Sequence, residues 1–333
     1  MICIELIMAF SHIPVLLDEV LQGLCLRPDG IYLDATFGRG GHSREILKRL
    51  GPRGRLYALD RDPEAVAAAK SIDDPRFCIV RSPFSKLASV CEELDISGKV
   101  DGLLMDIGVS SPQLDDASRG FSFDRDGPLD MRMDNSCGIT AADIVNTWDS
   151  RDLSLIFKEY GEERFASKAA SAIVRERTQH PFETTLFLAS FLERVIPGPS
   201  LHKHKATRIF QALRIAVNRE LDELKQALDG ASEVLSDGGR LCVISFHSLE
   251  DRIVKNYIKK ASQGNAIPKG LPITFEEAEK IRLATATMEP VGGAVKASEE
   301  EVTRNVRSRS ATLRVAKRLK RINKNAKCDS QTI

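Results

Sequence analysis

The chain reads Asp34-Ala35-Thr36-Phe37-Gly38-Arg39-Gly40-Gly41-His42-Ser43 between an apolar segment and a helical one. Residues 31–35 have the pattern of a buried strand, and residues 42–50 carry apolar side chains at helical spacing. Three glycines between them let a ligand approach the backbone closely, at the place where α/β sheets bind ligands. The stretch therefore predicts an α/β fold with its binding site after the first strand.

A second predicted strand, at residues 56–59, ends at Asp60. An acidic residue about 20 positions beyond such glycines accepts hydrogen bonds from ribose hydroxyls, so we expect an adenosine-containing cofactor. The dinucleotide fingerprint requires glycine or alanine where Ser43 stands, and Asp34 would oppose a pyrophosphate. A carboxylate at Asp34 suits a cation instead, namely the amino group and sulfonium of S-adenosylmethionine. The alternative for the loop by itself is a tight turn that binds nothing.

The composition is that of an ordinary globular protein, with 333 residues, 42% of them hydrophobic and 29% charged. This length fits one large or two modest domains. The seven cysteines are scattered without a Cys-x-x-Cys pair, which indicates a reducing compartment and no zinc site. Residues 1–10 are apolar but carry Glu5, lack a basic start and are too few to span a membrane. We therefore expect a cytoplasmic protein without a membrane segment, with Met8 as an alternative start.

Strands and helices alternate as far as Asp106. The pattern predicts helices at residues 63–70 and 84–94, and strands at residues 77–80 and 102–105. Strands that alternate with helices in this way form a parallel sheet.

The alternation stops after the fourth strand. Residues 107–134 are rich in Gly, Ser, Pro and Asp, residues 141–194 have helical patterns, and the next strand is expected only at residues 241–246. About 100 residues are thus inserted into the sheet. We expect a discontinuous cofactor-binding domain, residues 1–112 and 213–333, and an inserted helical domain, residues 113–212, that recognises the substrate.

One long helix is predicted to return the chain to the sheet. Its apolar positions recur at steps of three and four, which indicates a stripe that faces the core. These positions are Phe210, Leu213, Val217, Leu221, Leu224 and Leu228. A polar stripe with the same period comprises Gln211, Arg214, Asn218 and Asp222. Two interpretations of the polar stripe stay open, a solvated face and a polar wall between the insert and the sheet.

The C-terminal part is expected to complete a seven-stranded sheet. Residues 282–288 and 311–316 alternate enough for two strands, and Ser298 to Glu301 is a capping box for a short helix between them. From Arg304 to Lys327 the chain has ten Lys or Arg and no Asp or Glu, although its net charge is only +1. Such an edge predicts contacts with phosphates, the alternative being a frayed basic tail beyond Lys317.

Eight segments of the chain resemble the ribosomal small-subunit methyltransferase H family, also called MraW. Among them are Arg119-Gly120-Phe121-Ser122-Phe123 and Ser245-Phe246-His247-Ser248-Leu249-Glu250. The full set is residues 11–17, 34–43, 108–115, 119–123, 126–134, 210–218, 245–252 and 307–311. The resemblance implies a Rossmann-like class I methyltransferase sheet with an inserted, mainly helical domain. It also implies a cytoplasmic enzyme that transfers a methyl group from S-adenosylmethionine to N4 of one cytidine in the decoding region of 16S rRNA.

The resemblance further implies which residues contact the cofactor. Carried over position by position, they are Gly40, Gly41, His42, Asp60, Phe84, Asp106 and Gln113. The two glycines admit the methionine part, Asp60 suits the ribose hydroxyls, Phe84 can stack on adenine, and Asp106 can hold the ammonium group. Ordinary structural roles stay open for single positions, such as core packing for Phe84 and a water-facing position for Gln113.

Methyl transfer to an amine needs little covalent catalysis by the protein, because the methyl group is already activated by the sulfonium. The protein must exclude water, align N4 with the methyl carbon and place oxygen acceptors on the amine protons. Ser110 and Ser111 are candidates, because they stand where DNA amino-methyltransferases carry a Ser/Asn/Asp-Pro-Pro-aromatic motif, although the second proline and the aromatic are missing. His247 is either a base that takes the departing proton or a residue that caps the next helix. Candidates for stacking on the base are Phe121, Phe123 and Phe246.

Contacts with RNA are expected at Arg214, Asn218, Arg307 and Arg309. The expected partner is 16S rRNA or the small ribosomal subunit, and the oligomeric state stays open, a homodimer being one option. No metal site is expected, because His202 and His204 lack a third ligand.

Two other classes of function compete with this interpretation. A non-catalytic RNA-binding protein would not explain carboxylates at the ends of three strands. A nicotinamide dehydrogenase would not explain Ser43 or the insert.

Overall fold

The computed structural model describes residues 14–198, 204–264 and 274–320. Its centre is one mixed sheet with the strand order β3-β2-β1-β4-β5-β8-β6, in which β7 also pairs with β8. Strands β1 to β5 run parallel, whereas β8 is antiparallel to β5, β6 and β7. The strands are β1 (Ile31–Asp34), β2 (Arg55–Asp60), β3 (Phe77–Arg81), β4 (Val100–Asp106), β5 (Leu235–Ser245), β6 (Met288–Pro290), β7 (Val295–Lys296) and β8 (Thr312–Arg318).

Helices cover the sheet and build the insert. They are α1 (Leu17–Leu24), α2 (Gly41–Leu47), α3 (Pro63–Ala69), α4 (Leu87–Glu93), α5 (Ser111–Asp115), α6 (Ala141–Thr147), α7 (Ser150–Glu159), α8 (Ala166–Glu176), α9 (Thr185–Val195), α10 (Thr207–Asn218), α11 (Glu220–Val234), α12 (Ser248–Gln263), α13 (Phe275–Thr285) and α14 (Glu299–Arg304). Within the described ranges, no helix combines the length and the apolar character needed to cross a bilayer. The predicted alternation of β1 to β4 with helices is confirmed, and the helix expected at residues 84–94 starts with a 3-10 turn, Phe84–Lys86.

The carboxyl ends of β1, β2 and β4 meet at one edge of the sheet. Each strand ends in an aspartate, namely Asp34, Asp60 and Asp106. β1 pairs with β2 on one side and with β4 on the other, so the chain connections leave β1 and β4 in opposite directions. Open α/β sheets bind ligands at such a switch point. The topology therefore places the binding crevice between the loops that follow β1 and β4.

The insert between β4 and β5 has an apolar core of its own. The buried members of this cluster lie between Phe121 and Leu213, and they include Ile144, Phe157 and Phe182. Separate clusters cover the sheet. Because α10 packs into the insert core through Phe210 and Leu213, the boundary predicted at residues 212/213 falls inside a helix. The domain boundaries themselves stay a prediction.

The single return helix expected from the two stripes is wrong. Arg219 has a φ of 52° in the left-handed region and separates α10 from α11. As a result, Phe210 and Leu213 pack into the insert core, whereas Leu224 and Leu228 pack against the sheet. A residue in the left-handed region turns the chain without changing the apolar period, so periodicity does not reveal the break.

The C-terminal strands differ in part from the expectation. The strand expected at residues 282–288 is wrong in its first half, because α13 starts at a Thr274–Glu277 capping box and continues to Thr285. Only residues 288–290 form β6. The second expected strand is confirmed as β8, and Ser298 caps α14 by accepting a hydrogen bond from the Glu301 backbone NH at 3.1 Å. The two-residue strand β7 brings the described sheet to eight strands, one more than expected.

Gly120 provides a test of how the start of the insert is packed. Its φ is 70°, and a Cβ there would collide with the backbone oxygen of Pro128 and approach the Asp130 nitrogen to 2.7 Å. We expect Gly120→Ala to lower the free energy of unfolding by about 3 kcal/mol or more, because left-handed strain and a backbone clash add. Denaturant unfolding measures the difference.

Gly138→Ala is the matched control. Gly138 has a φ of 84°, but no heavy atom lies within 4 Å of the added Cβ. Only the conformational strain of about 1 kcal/mol is then expected. Equal losses in the two variants would contradict the packing argument.

Candidate active site

A cavity of about 460 Å³ opens at the switch point of the sheet. Its size lies within the range of ligand pockets, roughly 300 to 1,000 Å³. The loop after β1, the end of β2 and the segment after β4 supply most of its wall. The wall also includes Phe84, Met133, Glu220, Phe246 and Arg307. The insert and the C-terminal part thus complete a site that the sheet begins.

Asp60 anchors the glycine loop at the end of β2. Its carboxylate accepts hydrogen bonds from the Gly38 backbone NH at 2.7 Å and the Asp62 backbone NH at 2.8 Å. Burial raises the pKa of Asp60 to about 6, against the opposing effect of these two hydrogen bonds. The carboxylate lines the cavity, where it can accept further hydrogen bonds from a ribose.

Asp106 presents a carboxylate to the same cavity, and its side chain is 26% exposed. Among the described residues, its Oδ1 atom has no hydrogen-bond partner. Burial and then the negative charges of Asp34 and Glu250 raise the pKa of Asp106 to about 8. A bound cation would satisfy this oxygen and favour its ionised form. The site is therefore complementary to an ammonium or sulfonium group.

His42 lies beside Asp106 at the start of α2. Its Nε2 atom is 3.0 Å from the Val15 carbonyl oxygen, which can only accept, so Nε2 carries the proton. Its Nδ1 atom is 3.7 Å from Asp106 Oδ2. The predicted contact residue His42 therefore lines the cavity in a fixed orientation.

Asp34 does not line the cavity, so the predicted direct contact of Asp34 with the ligand is wrong. Asp34 is 1% exposed and accepts a hydrogen bond from Ser43 Oγ at 2.6 Å. Its charge acts on the site at a distance, since it helps to raise the pKa values of Asp60 and Asp106.

The glycines of the loop are required by packing within the protein. Gly40 has a φ of 75°, and a Cβ there would lie 2.6 Å from the Phe37 ring. A Cβ on Gly41 would lie 2.7 Å from Pro14. Gly41 lines the cavity, whereas Gly40 lies behind it as the residue before α2. Direct contact of either glycine with the cofactor stays a prediction.

The segment after β4 is held by its own hydrogen bonds. Gln113 Oε1 accepts from the Ser110 backbone NH at 2.9 Å, and Gln113 Nε2 donates to Asp62 Oδ2 at 2.8 Å. Gln113 is 6% exposed, so the water-facing alternative for it is wrong. Ser110, Ser111 and Gln113 all line the cavity. Their roles toward cofactor or substrate stay predictions, as does stacking by Phe84, which also lines the cavity.

His247 caps the helix that follows β5. Its Nδ1 atom accepts from the Glu250 backbone NH at 3.5 Å, and its Nε2 atom lies 3.0 Å from Glu250 Oε1. The capping alternative for His247 is therefore confirmed, and the proposal of a base stays untested. The neighbouring Phe246, one of the predicted stacking residues, lines the cavity, whereas Phe121 and Phe123 pack in the insert core.

The polar-wall interpretation holds for three of the four positions of the polar stripe, since Gln211, Arg214 and Asn218 are bonded within the protein. Arg214 donates to both carboxylate oxygens of Glu220, at 2.8 and 2.7 Å. Asn218, which is 3% exposed, donates to the Met131 carbonyl oxygen at 2.7 Å and accepts from the Met133 backbone NH at 2.8 Å. Gln211 likewise donates to a backbone carbonyl, whereas Asp222 is exposed.

The wall changes the interpretation of two predicted RNA contacts. Arg214 and Asn218 are both bound within the protein, so the structure does not place them on an RNA-facing surface. Arg307, in contrast, is exposed at the cavity and forms an ion pair with Asp115 at 2.6 Å. Arg309 is exposed as well. The basic positions beyond residue 320 lie outside the described residues.

Three possible metal-ligating side chains come together beside the wall. Atoms of Glu220, His247 and Glu250 lie within 4.8 Å of one another. Arg214 already donates to both oxygens of Glu220, and Glu250 Oε2 accepts from the Phe246 backbone NH. The positive charge at this cluster is that of Arg214, so the arrangement is that of an ion pair joined to a helix cap. His202 lies outside the described residues.

Two residues that sequence reasoning missed belong to the site. Asp62 lines the cavity and accepts from both Gln113 and Arg119. The sequence marked Asp62 only as the start of a helix, since Pro63 follows it. Glu220, the ion-pair partner of Arg214, also lines the cavity, and no sequence motif indicated this residue.

The sequence of the chain matches the model of the MraW methylase family over residues 9–319. The chain belongs to this family. It is 55% identical over 311 residues to the ribosomal RNA small subunit methyltransferase H of Shewanella loihica, which covers 93% of this chain and 98% of the relative. The protein of the same name from Shewanella violacea is 56% identical over the same shares of both chains.

Two solved structures are also similar. One is a putative rRNA-methylase from Clostridium thermocellum, with 10% identity and a TM-score of 0.39 over 89% of this chain and 90% of that one. The other is a methyltransferase dependent on S-adenosylmethionine from Aquifex aeolicus, with 11% identity and a TM-score of 0.35 over 91% and 89%.

Membership in a methylase family excludes the dehydrogenase and the non-catalytic RNA-binding protein. The cofactor that the family implies is S-adenosylmethionine. Its charges fit the cavity, because the sulfonium and ammonium are cationic and Asp60 and Asp106 line the wall. The unpartnered Asp106 Oδ1 is the observation on which this fit rests.

Asp60 tests the ribose end of the methylase site. We expect Asp60→Ala to weaken binding of S-adenosylmethionine by about 1 to 3 kcal/mol, because two ribose hydroxyls lose a charged acceptor. Asp60→Asn, which keeps one oxygen for the Gly38 NH, should fall between the wild type and alanine. Calorimetry gives the affinities, and wild-type affinity in Asp60→Ala would remove Asp60 from the site.

Asp106 predicts how cofactor binding depends on pH. With a pKa of about 8, its carboxyl is mostly protonated at pH 6.5 and mostly ionised at pH 8.5. Since a cation binds the ionised form, whose fraction rises from about 3% to about 76%, affinity for S-adenosylmethionine should rise about 25-fold over this interval. Asp60, with a pKa of about 6, is already largely ionised there. Asp106→Asn should bind more weakly and independently of pH, and a retained pH dependence in that variant would contradict the assignment.

Proposed function

We propose that this protein transfers the methyl group of S-adenosylmethionine to the N4 amine of one cytidine in the decoding region of 16S rRNA. Its relatives are ribosomal RNA small subunit methyltransferases H, which supports ribosomal RNA of the small subunit as the substrate. The structural observation that supports the methyl-donor half is that, among the described residues, the Oδ1 atom of Asp106 in the cavity has no hydrogen-bond partner. Such a reaction would take place in the cytoplasm.

The chemistry asks for positioning more than for covalent catalysis. S-adenosylmethionine supplies a methyl carbon that is activated by the sulfonium. N4 would form the new bond as the sulfur–carbon bond breaks with its electrons moving to sulfur, and N4 would then lose a proton to water or to the Glu220 carboxylate in the cavity. The protein lowers the barrier by alignment and by exclusion of water.

Residues on two sides of the cavity would divide this work. On the sheet side, Asp60 and Asp106 would hold the ribose and ammonium groups, and Phe84 would lie against adenine. On the side of α11 and β5, Glu220 and Phe246 line the same cavity. Arg214 fixes the Glu220 carboxylate, whose remaining lone pairs can accept from the amine protons. Such acceptors favour lone-pair character on N4.

RNA must reach this cavity with its base out of the stack. Extruding a base costs a few kcal/mol that contacts with the protein have to offset. The insert and the exposed Arg307 flank the cavity and are placed to make such contacts.

The direct test is transfer of tritium from labelled S-adenosylmethionine. Small ribosomal subunits and free 16S rRNA, both prepared from cells in which the gene is deleted, serve as acceptors. We expect label in one cytidine, identified as N4-methylcytidine by nuclease digestion and mass spectrometry. Label on another base, or no transfer to either acceptor, would overturn the proposed function.

The exposed arginines predict the salt dependence of RNA binding. If Arg307 and Arg309 contact phosphates, the double variant Arg307→Gln, Arg309→Gln should lower the slope of log K against log salt by about 1 to 2, with unchanged affinity for S-adenosylmethionine. A matched control is Arg49→Gln, Arg53→Gln, because these side chains follow α2 near the opposite edge of the sheet. Equal slopes in both double variants would contradict the assignment.

A further inference from the structure

Arg119 forms a buried junction between the cofactor side of the cavity and the insert. Its side chain is 5% exposed, like that of its ion-pair partner Asp62, and the two atoms Nη1 and Oδ2 are 3.0 Å apart. A second carboxylate, that of Glu64, lies 3.2 Å from the same Nη1 atom. A buried guanidinium in this position needs all its partners, because burial of an unpaired charge is strongly unfavourable.

On the cofactor side, Arg119 supports residues that line the cavity. Asp62 Oδ2 also accepts from Gln113 Nε2 at 2.8 Å, and the Asp62 backbone NH donates to Asp60 Oδ1 at 2.8 Å. Asp62 thus connects the ribose-binding position, through its backbone NH, with the segment after β4, through its carboxylate. A shift of Asp62 would be felt at Asp60 and at Gln113 together.

On the insert side, Arg119 holds backbone that also faces the cavity. Its Nη2 atom donates to the carbonyl oxygens of Arg132 at 3.1 Å and Met133 at 2.9 Å. Met133 is held from its other end as well, since its backbone NH donates to Asn218 in the wall. The same guanidinium therefore fixes two residues that line the cavity, Met133 of the insert and Asp62 after β2.

Only arginine can make this junction. The planar guanidinium directs its two terminal nitrogens to opposite partners, Nη1 to carboxylates and Nη2 to carbonyls. A lysine ammonium at the same place keeps the charge but has one nitrogen, which can reach one side only.

We propose that Arg119 is a positioning residue that couples binding of the cofactor to binding of RNA by the insert. Cofactor contacts with Asp60 and Gln113 favour the arrangement in which Asp62 engages Arg119, and this arrangement holds Met133 in place for the base. The inference rests on the proposed function, because it takes RNA as the ligand of the insert. Coupling of this kind is reciprocal, so RNA tightens cofactor binding by the same factor.

The experiment measures coupling in the full chain by binding alone. Small ribosomal subunits from cells that lack the gene are titrated with the enzyme, with and without saturating S-adenosylhomocysteine, which cannot react. We expect the wild type to bind subunits about fivefold or more tightly with S-adenosylhomocysteine, and Arg119→Lys to reduce this factor toward one. The affinity of the Arg119→Lys protein for S-adenosylhomocysteine alone, and its affinity for subunits alone, should change less than the coupling factor does.

Arg177→Lys is the matched control. Arg177 also donates to two backbone carbonyls, those of Val145 and Trp148 at 2.7 and 2.6 Å, but both lie inside the insert. It should keep wild-type coupling. If Arg119→Lys does not fold, Asp62→Asn takes its place, because it removes the charge from the same junction while an oxygen remains to cap α3.

The outcomes separate the inference from the proposed function. A wild type that shows no coupling, or an Arg119→Lys protein that keeps it, overturns the role of Arg119 even when methylation proceeds normally. Loss of coupling in Arg177→Lys to the same extent also overturns it, because the effect would then be a general weakening of the insert. Absence of methyl transfer by the wild type would instead overturn the proposed function.

Discussion

Burial of carboxylates at one sheet edge is the constraint around which this molecule is built. Parallel strands bring Asp34, Asp60 and Asp106 to the same end, where burial raises the pKa of each. Glu250 adds a further negative charge near Asp106. At a pH between the unfolded and the folded pKa, such a carboxyl is protonated in the folded protein and ionised in the unfolded chain. Without a ligand, the free energy of unfolding therefore falls as the pH rises through this range. A cationic ligand reverses this cost, which is why the site selects a positively charged cofactor.

The protein manages this charge differently at each strand end. Asp34 accepts a hydrogen bond from Ser43, and Asp60 accepts hydrogen bonds from two backbone NH groups. Both carboxylates therefore have partners within the protein. Asp106 keeps an oxygen that has no partner in the described part of the chain. The contrast identifies Asp106 as the point where ligand charge matters most.

Buried polar contacts join the insert to the sheet. The insert has its own apolar core, and its connections to the rest of the protein run through side chains such as Asn218, Arg119 and Arg214. Hydrogen bonds to backbone atoms are directional, so they fix the orientation of the insert more closely than apolar packing would. A cavity that is shared between the two parts depends on such orientation, because its wall must close around both a cofactor and a base.

The sequence by itself determined the parallel half of the sheet, the glycine loop, the carboxylates at the strand ends and the family, because these depend on local periodicity and on residue types at short spacing. Tertiary structure alone decided that Arg219 breaks the return helix and that His247 caps a helix. It also decided which partner each buried polar group takes. Asp62 and Arg119 are 57 residues apart, and no local pattern records that they meet. Burial makes their pairing obligatory, and burial exists only once the insert has packed against the sheet.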